Sequence, residues 1–286
     1  MNKKNKVLLS AIALVLLSGI AATSTTFAWF TTVRTAGISY SEATIQAADG
    51  NLMIDYQSSL NNWSGGAPSY NSSTNTVTIS GANKITDISG DGATFYKPVW
   101  TNPTTQASAI NEVPTTGAAG VADGFYIDFT VRLSRSNPVD QNGLKVYLGT
   151  GTTITAKSGG DADTGAVQAA RLAVLDDSGT VLVRWAPEQE SSAKYITDAT
   201  TGTTLYGVDQ RTTVSDTFYK YGTITSAANM AAADSAGFLV ANLSKEVSNQ
   251  EDVTFRVWIE GEDEHCDNDI IGGAFSVTIA LYTFVN

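Results

Sequence analysis

Along most of this chain apolar and polar residues take turns, and the period is two. Phe125, Ile127, Phe129, Val131 and Leu133 alternate with Tyr126, Asp128, Thr130 and Arg132, so a strand here buries one face and wets the other. Val253, Phe255, Val257 and Ile259 alternate in the same way with Thr254, Arg256, Trp258 and Glu260, and Phe275, Val277, Ile279 and Leu281 with Ser276, Thr278, Ala280 and Tyr282. Arg171 to Leu175 and Val181 to Trp185 flank Asp176-Asp177-Ser178-Gly179, a turn whose glycine can take positive φ, which predicts a hairpin. Shorter strands are predicted at Leu52 to Tyr56, Thr76 to Ile79, Lys145 to Leu148 and Phe238 to Ala241. Helical patterning is confined to two short alanine-rich stretches, Ala166 to Arg171 and Ala227 to Ala233. Polar, glycine-bearing segments at Ser58 to Asn75, Pro103 to Asp123, Gly149 to Thr164 and Pro187 to Thr204 read as loops. Many short strands joined by such segments predict an all-β fold, an antiparallel, jelly-roll-like β-sandwich with long loops and one or two short helices. No fixed-period repeat and no linker divides it, so residues 51–286 form one domain.

The first residues follow a different pattern. Lys3, Lys4 and Lys6 precede the apolar run Val7 to Ala22, and Thr26-Phe27-Ala28 puts small residues three and one before a cut. This is the layout of a signal peptide over residues 1–28, removed by signal peptidase during export. The apolar run is about 16 residues, short of the ~20 that a membrane span needs, and no later segment is longer. A secreted, extracellular or cell-surface product with no stable membrane span after cleavage is expected, with residues 29–50 as its amino-terminal strand.

Composition narrows the partners. The 286 residues carry 28 acidic and 17 basic side chains, a formal charge of −11, and such a surface repels phosphate, so nucleic acid is not an expected partner. One cysteine forbids an intramolecular disulfide, and one histidine with one cysteine leaves a zinc site short of its three or four ligands. Hydrophobic residues at 42% and charged ones at 16% describe a chain that builds a core.

Candidate chemistry centres on one acidic run. Glu260, Glu262, Asp263, Glu264, Asp267 and Asp269 fall between two predicted strands, which places them at a hairpin tip where Glu262, Asp263, Asp267 and Asp269 could converge on calcium. The glycine and glutamate spacing of an EF-hand is missing, and a solvated acidic loop accounts for the same run. Asp161-Ala162-Asp163-Thr164-Gly165 is a second, weaker calcium-like stretch. No other cofactor is expected. His265 and Cys266 are neighbours, and neighbours in extended chain point to opposite sides, so no nucleophilic dyad is assigned. A buried thiol accounts for the cysteine better than a link between subunits. No carboxylate pair stands in an apolar setting that would raise one pKa, so no catalytic residue is assigned and the chain is not read as an enzyme. Trp63, Tyr70, Trp100 and Trp185 fall in or beside predicted loops, where they would stack on sugar rings in a monomeric adhesin or glycan-binding module, or pack beneath those loops.

Thr26-Phe27-Ala28-Trp29-Phe30, with Ala43-Thr44-Ile45-Gln46-Ala47 and Gly50-Asn51-Leu52-Met53-Ile54 after a polar stretch, resembles the start of TasA-like and camelysin-like exported proteins of Gram-positive bacteria. Arg256-Val257-Trp258-Ile259-Glu260-Gly261-Glu262-Asp263, followed by Cys266 and Asn268, resembles the last strands of exported proteins with that type of leader. The resemblance covers about a quarter of the chain. It implies a secreted β-sandwich subunit that self-assembles into extracellular fibres of a biofilm matrix, the freed amino-terminal strand of one subunit entering the sheet of the next. Independently of family, a tail carrying Trp29, Phe30, Val33, Ile38 and Tyr40 is an apolar strand able to complete an open sheet, and head-to-tail contacts of that kind do not close. The bland alternative is that the tail pairs with its own domain as an edge strand.

Overall fold

A computed structural model describes residues 38–47, 52–56, 69–71, 76–80, 84–99, 109–113, 124–135, 143–156, 164–188, 196–197, 204–205, 220–221, 229–244, 249–263, 265–266, 270 and 274–285. In chain order these form strands β1 (Ile38–Ala47), β2 (Leu52–Tyr56), β3 (Ser69–Asn71), β4 (Thr76–Ser80), β5 (Lys84–Ile85), β6 (Ser89–Gly90), β7 (Phe95–Val99), β8 (Ala109–Val113), β9 (Ile127–Arg135), β10 (Leu144–Leu148) and β11 (Thr153–Ala156). Helix α1 (Thr164–Ala169) follows, then β12 (Ala170–Leu175), β13 (Val181–Ala186), β14 (Ile196–Thr197), β15 (Thr204–Leu205), β16 (Lys220–Tyr221), helix α2 (Met230–Ala236), β17 (Leu239–Leu243), β18 (Gln250–Ile259) and β19 (Ala274–Val285). The fold is all-β in class. None of the helices among the described residues is long and apolar enough to cross a membrane.

An eight-stranded sheet runs β17-β10-β19-β1-β4-β3, with β11 also on β19 and β5 also on β1, and a six-stranded sheet runs β16-β13-β12-β18-β9-β2. Their facing sides share one core. Ile45, Val146, Phe275 and Ile279 from the larger sheet and Ile54, Phe129, Leu172 and Phe255 from the smaller belong to a single buried cluster, the arrangement of two packed layers. The apolar rows read from the alternation supply it, since Ile127, Phe129, Val131, Leu133, Phe255 and Val257 have no solvent exposure.

Local chemistry sets the turns. The β12–β13 hairpin closes where Asp176 Oδ1 accepts from the amides of Ser178 at 3.0 Å and Thr180 at 2.8 Å, while Gly179 takes φ +82°, a region costly for any residue with a Cβ. Helix α2 begins after Asn229, whose side chain accepts from the Ala232 amide at 2.9 Å, and stops at Gly237 in the left-handed region. It therefore starts later than the predicted Ala227. Helix α1 ends at Ala169 rather than Arg171, because Ala170 and Arg171 already pair with Ile259 and Trp258 of β18.

The structure corrects several expectations. Each of the four predicted loops holds strand residues: β3 in the first, β8 in the second, β11 in the third, β14 in the fourth. Pairing is not uniformly antiparallel, since β1 lies parallel to β19 and β13 parallel to β16. Strands β18 and β19 are not a hairpin. They belong to different sheets, so the acidic run after Ile259 lies on a crossing between layers. The outer face of the six-stranded sheet, predicted wet, is partly covered by a third layer, the three-stranded sheet β6-β7-β8. From this cap Ile88, Phe95 and Val113 pack on Tyr126, Ala173, Leu175 and Trp258.

Candidate functional site

Two places carry the predicted site residues: the amino-terminal strand and the acidic crossing. Ile38 and Tyr40 lie in β1, which is interior to its sheet rather than at an edge. On one side it pairs in parallel with β19, from Ser39 opposite Ala274 to Ala47 opposite Leu281. On the other it pairs antiparallel with β4, from Glu42 opposite Ser80 to Gln46 opposite Thr76, and with β5 at Ile38 and Ser39. The Ile45 side chain is fully buried between the sheets. This is an unusual seat for the first of the described strands, because a parallel neighbour demands a long crossover and here almost the whole domain separates the two partners in sequence. Trp29, Phe30 and Val33 lie outside the described residues, as does the predicted signal peptide.

The crossing after β18 is built around Glu260. Ile88, at the cap's edge, donates its amide to the Ile259 carbonyl at 3.0 Å and accepts from the Gly261 amide at 2.9 Å, a parallel bridge that brings the cap onto the acidic run. Glu260 Oε2 then accepts from the Gly90 amide and from Trp258 Nε1, both at 3.2 Å, and Oε1 from the Glu262 amide at 3.1 Å. Three donors on one carboxylate meet the requirement that a buried charge be hydrogen-bonded. Glu262 Oε2 accepts from the Ser89 hydroxyl at 3.2 Å. Asp263 receives Arg171 Nη2 on one oxygen and, on the other, the His265 amide at 2.8 Å, with His265 Nδ1 at 3.0 Å. Arg171 is held in turn by the Gln168 and Ala170 carbonyls at 2.8 and 3.1 Å.

Glu260, Glu262, Asp263 and Arg171 have no solvent exposure, so the first three acids of the run are not solvated; Glu264 lies outside the described residues. Glu262 and Asp263, two of the predicted calcium ligands, turn their oxygens to donors of the chain itself, and Asp267 and Asp269 lie outside the described residues. Among the described residues no group of three or more His, Cys, Asp and Glu side chains could hold a metal ion. Cys266 is buried in the main core, as expected of the single thiol. Trp185 is 2% exposed in the same core, because β13 carries it inward, so it is not a loop aromatic. Trp63 and Trp100 lie outside the described residues, and the Tyr70 backbone is in β3.

Next to Glu260 the seam under the cap continues into a charged and aromatic layer that the alternation does not reveal. Arg256 makes a two-pronged bond to Asp128, Nε to Oδ1 and Nη2 to Oδ2, each 2.8 Å, and donates through Nη1 to the Gly92 carbonyl at 3.0 Å. Its guanidinium stands 4.3 Å from the Tyr126 ring centroid, a cation–π distance. Phe95 stacks on Tyr126 and meets Trp258 edge-on, both at 5.2 Å. The close approach requires glycine at two cap positions. A Cβ on Gly90 would lie 2.0 Å from Phe95 Cδ1, and one on Gly92, at φ +91°, would lie 2.5 Å from Ala173 Cβ. Asp87 is also buried, accepting from Thr86 Oγ1 at 3.2 Å, and burial, opposed by Lys97, pushes its carboxyl up to about 6. The available signal was the residue type. Tyr126 and Trp258 are large aromatics in rows that would otherwise face water, and such rings bury well when their polar atom finds a partner.

Among the described residues the crossing is a buried hydrogen-bonded network around Glu260, Asp263 and Arg171. It ties three parts of the fold together: α1 and β12 through Arg171, the crossing through Asp263 and Glu260, and the cap through Ile88, Ser89 and Gly90. No protein-family model matches this chain, and no curated protein sequence matches it either.

Proposed function

We propose that this chain is an exported structural subunit that assembles into extracellular filaments by lending its amino-terminal strand to the sheet of the next copy. One observation carries the reading: β1 is the first of the described strands yet interior in the sheet, held between β19 and β4. When such a strand leaves, two rows of backbone donors and acceptors lose their partners, and the same strand from a neighbour satisfies both. Ile45, seated in the core, fixes the register, since a one-residue slip would turn it to the outer face. Exchange repeated head to tail does not close and grows a filament. The leader-like residues 1–28 and the resemblance of Thr26 to Phe30 to exported fibre subunits support the secreted setting, and the two packed layers agree with a jelly-roll-like sandwich.

The test expresses residues 29–286 with a removable tag masking Trp29 and follows light scattering and negative-stain images after tag removal, with and without calcium. Filaments are expected only once Trp29 is free, and none when Trp29 to Tyr40 are deleted. A persistent monomer overturns the reading and leaves the adhesin alternative, tested by polysaccharide binding.

A further inference from the structure

The seam between the cap and the six-stranded sheet buries its charges unevenly. Arg171 has Asp263, Arg256 has Asp128, and Arg184 donates to the Asp91 carbonyl at 2.7 Å with the Asp91 carboxylate at 3.8 Å. Glu262 receives the Ser89 hydroxyl. Asp87, 2% exposed, is met differently. Its neighbour Thr86 donates to it, and Lys97 of β7 places its ammonium 3.1 Å from that Thr86 hydroxyl and 5.5 Å from the Phe125 ring centroid, near Asp87 without bonding it. Burial is the main influence on its carboxyl, and buried Glu260 contributes in the same direction. Asp87 and Glu260 thus stand across the same bridge that joins cap to sheet, Ile88 to Glu260.

We propose that this seam is a proton-operated latch: the cap seats on the six-stranded sheet while Asp87 carries a proton, and loosens when Asp87 ionises beside Glu260. Burial in a poorly solvated seam disfavours the ionised carboxyl, Glu260 adds a smaller contribution of the same sign, and the open cap returns Asp87 to water. The sign follows from the carboxyl being held above its ordinary value of 3.8, at about 6, in the seated cap. The seated form binds the proton more tightly than the open one, so the latch is complete below about pH 4, weakens as pH rises to about 6, and is constant above that. Opening uncovers Phe95, Tyr126 and Trp258, an aromatic face that the seated cap hides.

Amide hydrogen exchange of the full mature chain tests this between pH 4 and 7.5, after correction for the intrinsic base-catalysed rate. The amides of Ile88, Gly90 and Gly261 close the seam. Their opening equilibrium should rise about 100-fold across this range, the factor corresponding to about two pKa units, while the Val253 and Phe255 amides stay flat. Asp87→Asn should abolish the rise. Lys97→Met, which removes the cation opposing the shift, should carry the rise to higher pH. Equal pH profiles in wild type and Asp87→Asn, or a flat wild-type profile, overturn the latch. Should Asp87→Asn fail to fold, an unchanged profile in Lys97→Met overturns it equally.

Discussion

Phe129 and Trp258 sit on the paired strands β9 and β18, both without solvent exposure, on opposite faces of the six-stranded sheet. Phe129 stands opposite Phe255 in a core of aliphatic and aromatic side chains drawn from both large sheets. Trp258 donates its indole N–H to a buried glutamate and lies beside Phe95, one row from an arginine held by aspartate and by a cap carbonyl. The first region depends mainly on filled volume and apolar burial, because the hydrophobic effect has no direction. The second depends on each donor finding its acceptor, because a buried charge without a partner costs several kcal/mol. Equal burial therefore conceals two kinds of stability, one set by volume and one by pairing.

Mutations should separate the two. The largest loss is expected from Phe129→Ala, about 3–5 kcal/mol from lost transfer energy and the cavity left behind, read as a lower denaturant midpoint for the whole domain. Arg171→Ala should cost a comparable amount, about 3–5 kcal/mol, by leaving Asp263 buried without its cation. Here Asp263→Asn in the same chain should recover part of the loss, a rescue that no second substitution of that polar kind offers at Phe129. Gly92→Ala should cost about 1–3 kcal/mol through left-handed strain and the contact with Ala173, and Ala173→Gly should relieve the steric part, as thermal unfolding of the double variant would show. The smallest effect belongs to Arg132→Ala. Its pair with Asp252 is 2.7 Å long but 36% and 21% exposed, so only a slight drop in the denaturant midpoint is expected, shrinking further in salt.

What could be read from the sequence follows the same division. Alternation located β9, β18 and β19 and the buried row of each, because one-sided burial imprints a period of two. Leu52 to Tyr56 appears with its predicted ends, and the hairpin closes at Gly179 as expected. The cap was not legible, because β6 to β8 are short and lie among polar residues, and because a third layer covers a face whose threonines, aspartates and arginines look solvated. The acidic run misled for a related reason. Two strong strands joined by a polar segment look like a hairpin locally, and only long-range pairing, β18 with β9 and β12 and β19 with β1 and β10, sends them to different sheets. For β1 the residue types marked Ile38 and Tyr40 as strand formers, but nothing local foretold a parallel seat beside β19.

That seat also offers the most direct test of strand exchange. Thr44 and Thr278 are register partners across β1 and β19, close enough for a disulfide when both are cysteine. Thr44→Cys and Thr278→Cys, with Cys266→Ser to remove the native thiol, would be oxidised in assembled material and run on a non-reducing denaturing gel. Exchange between copies predicts a ladder of covalent oligomers that collapses on reduction. A single monomer band from the same material, with the thiols consumed, would mean that β1 stays in its own sheet and would contradict assembly by strand exchange.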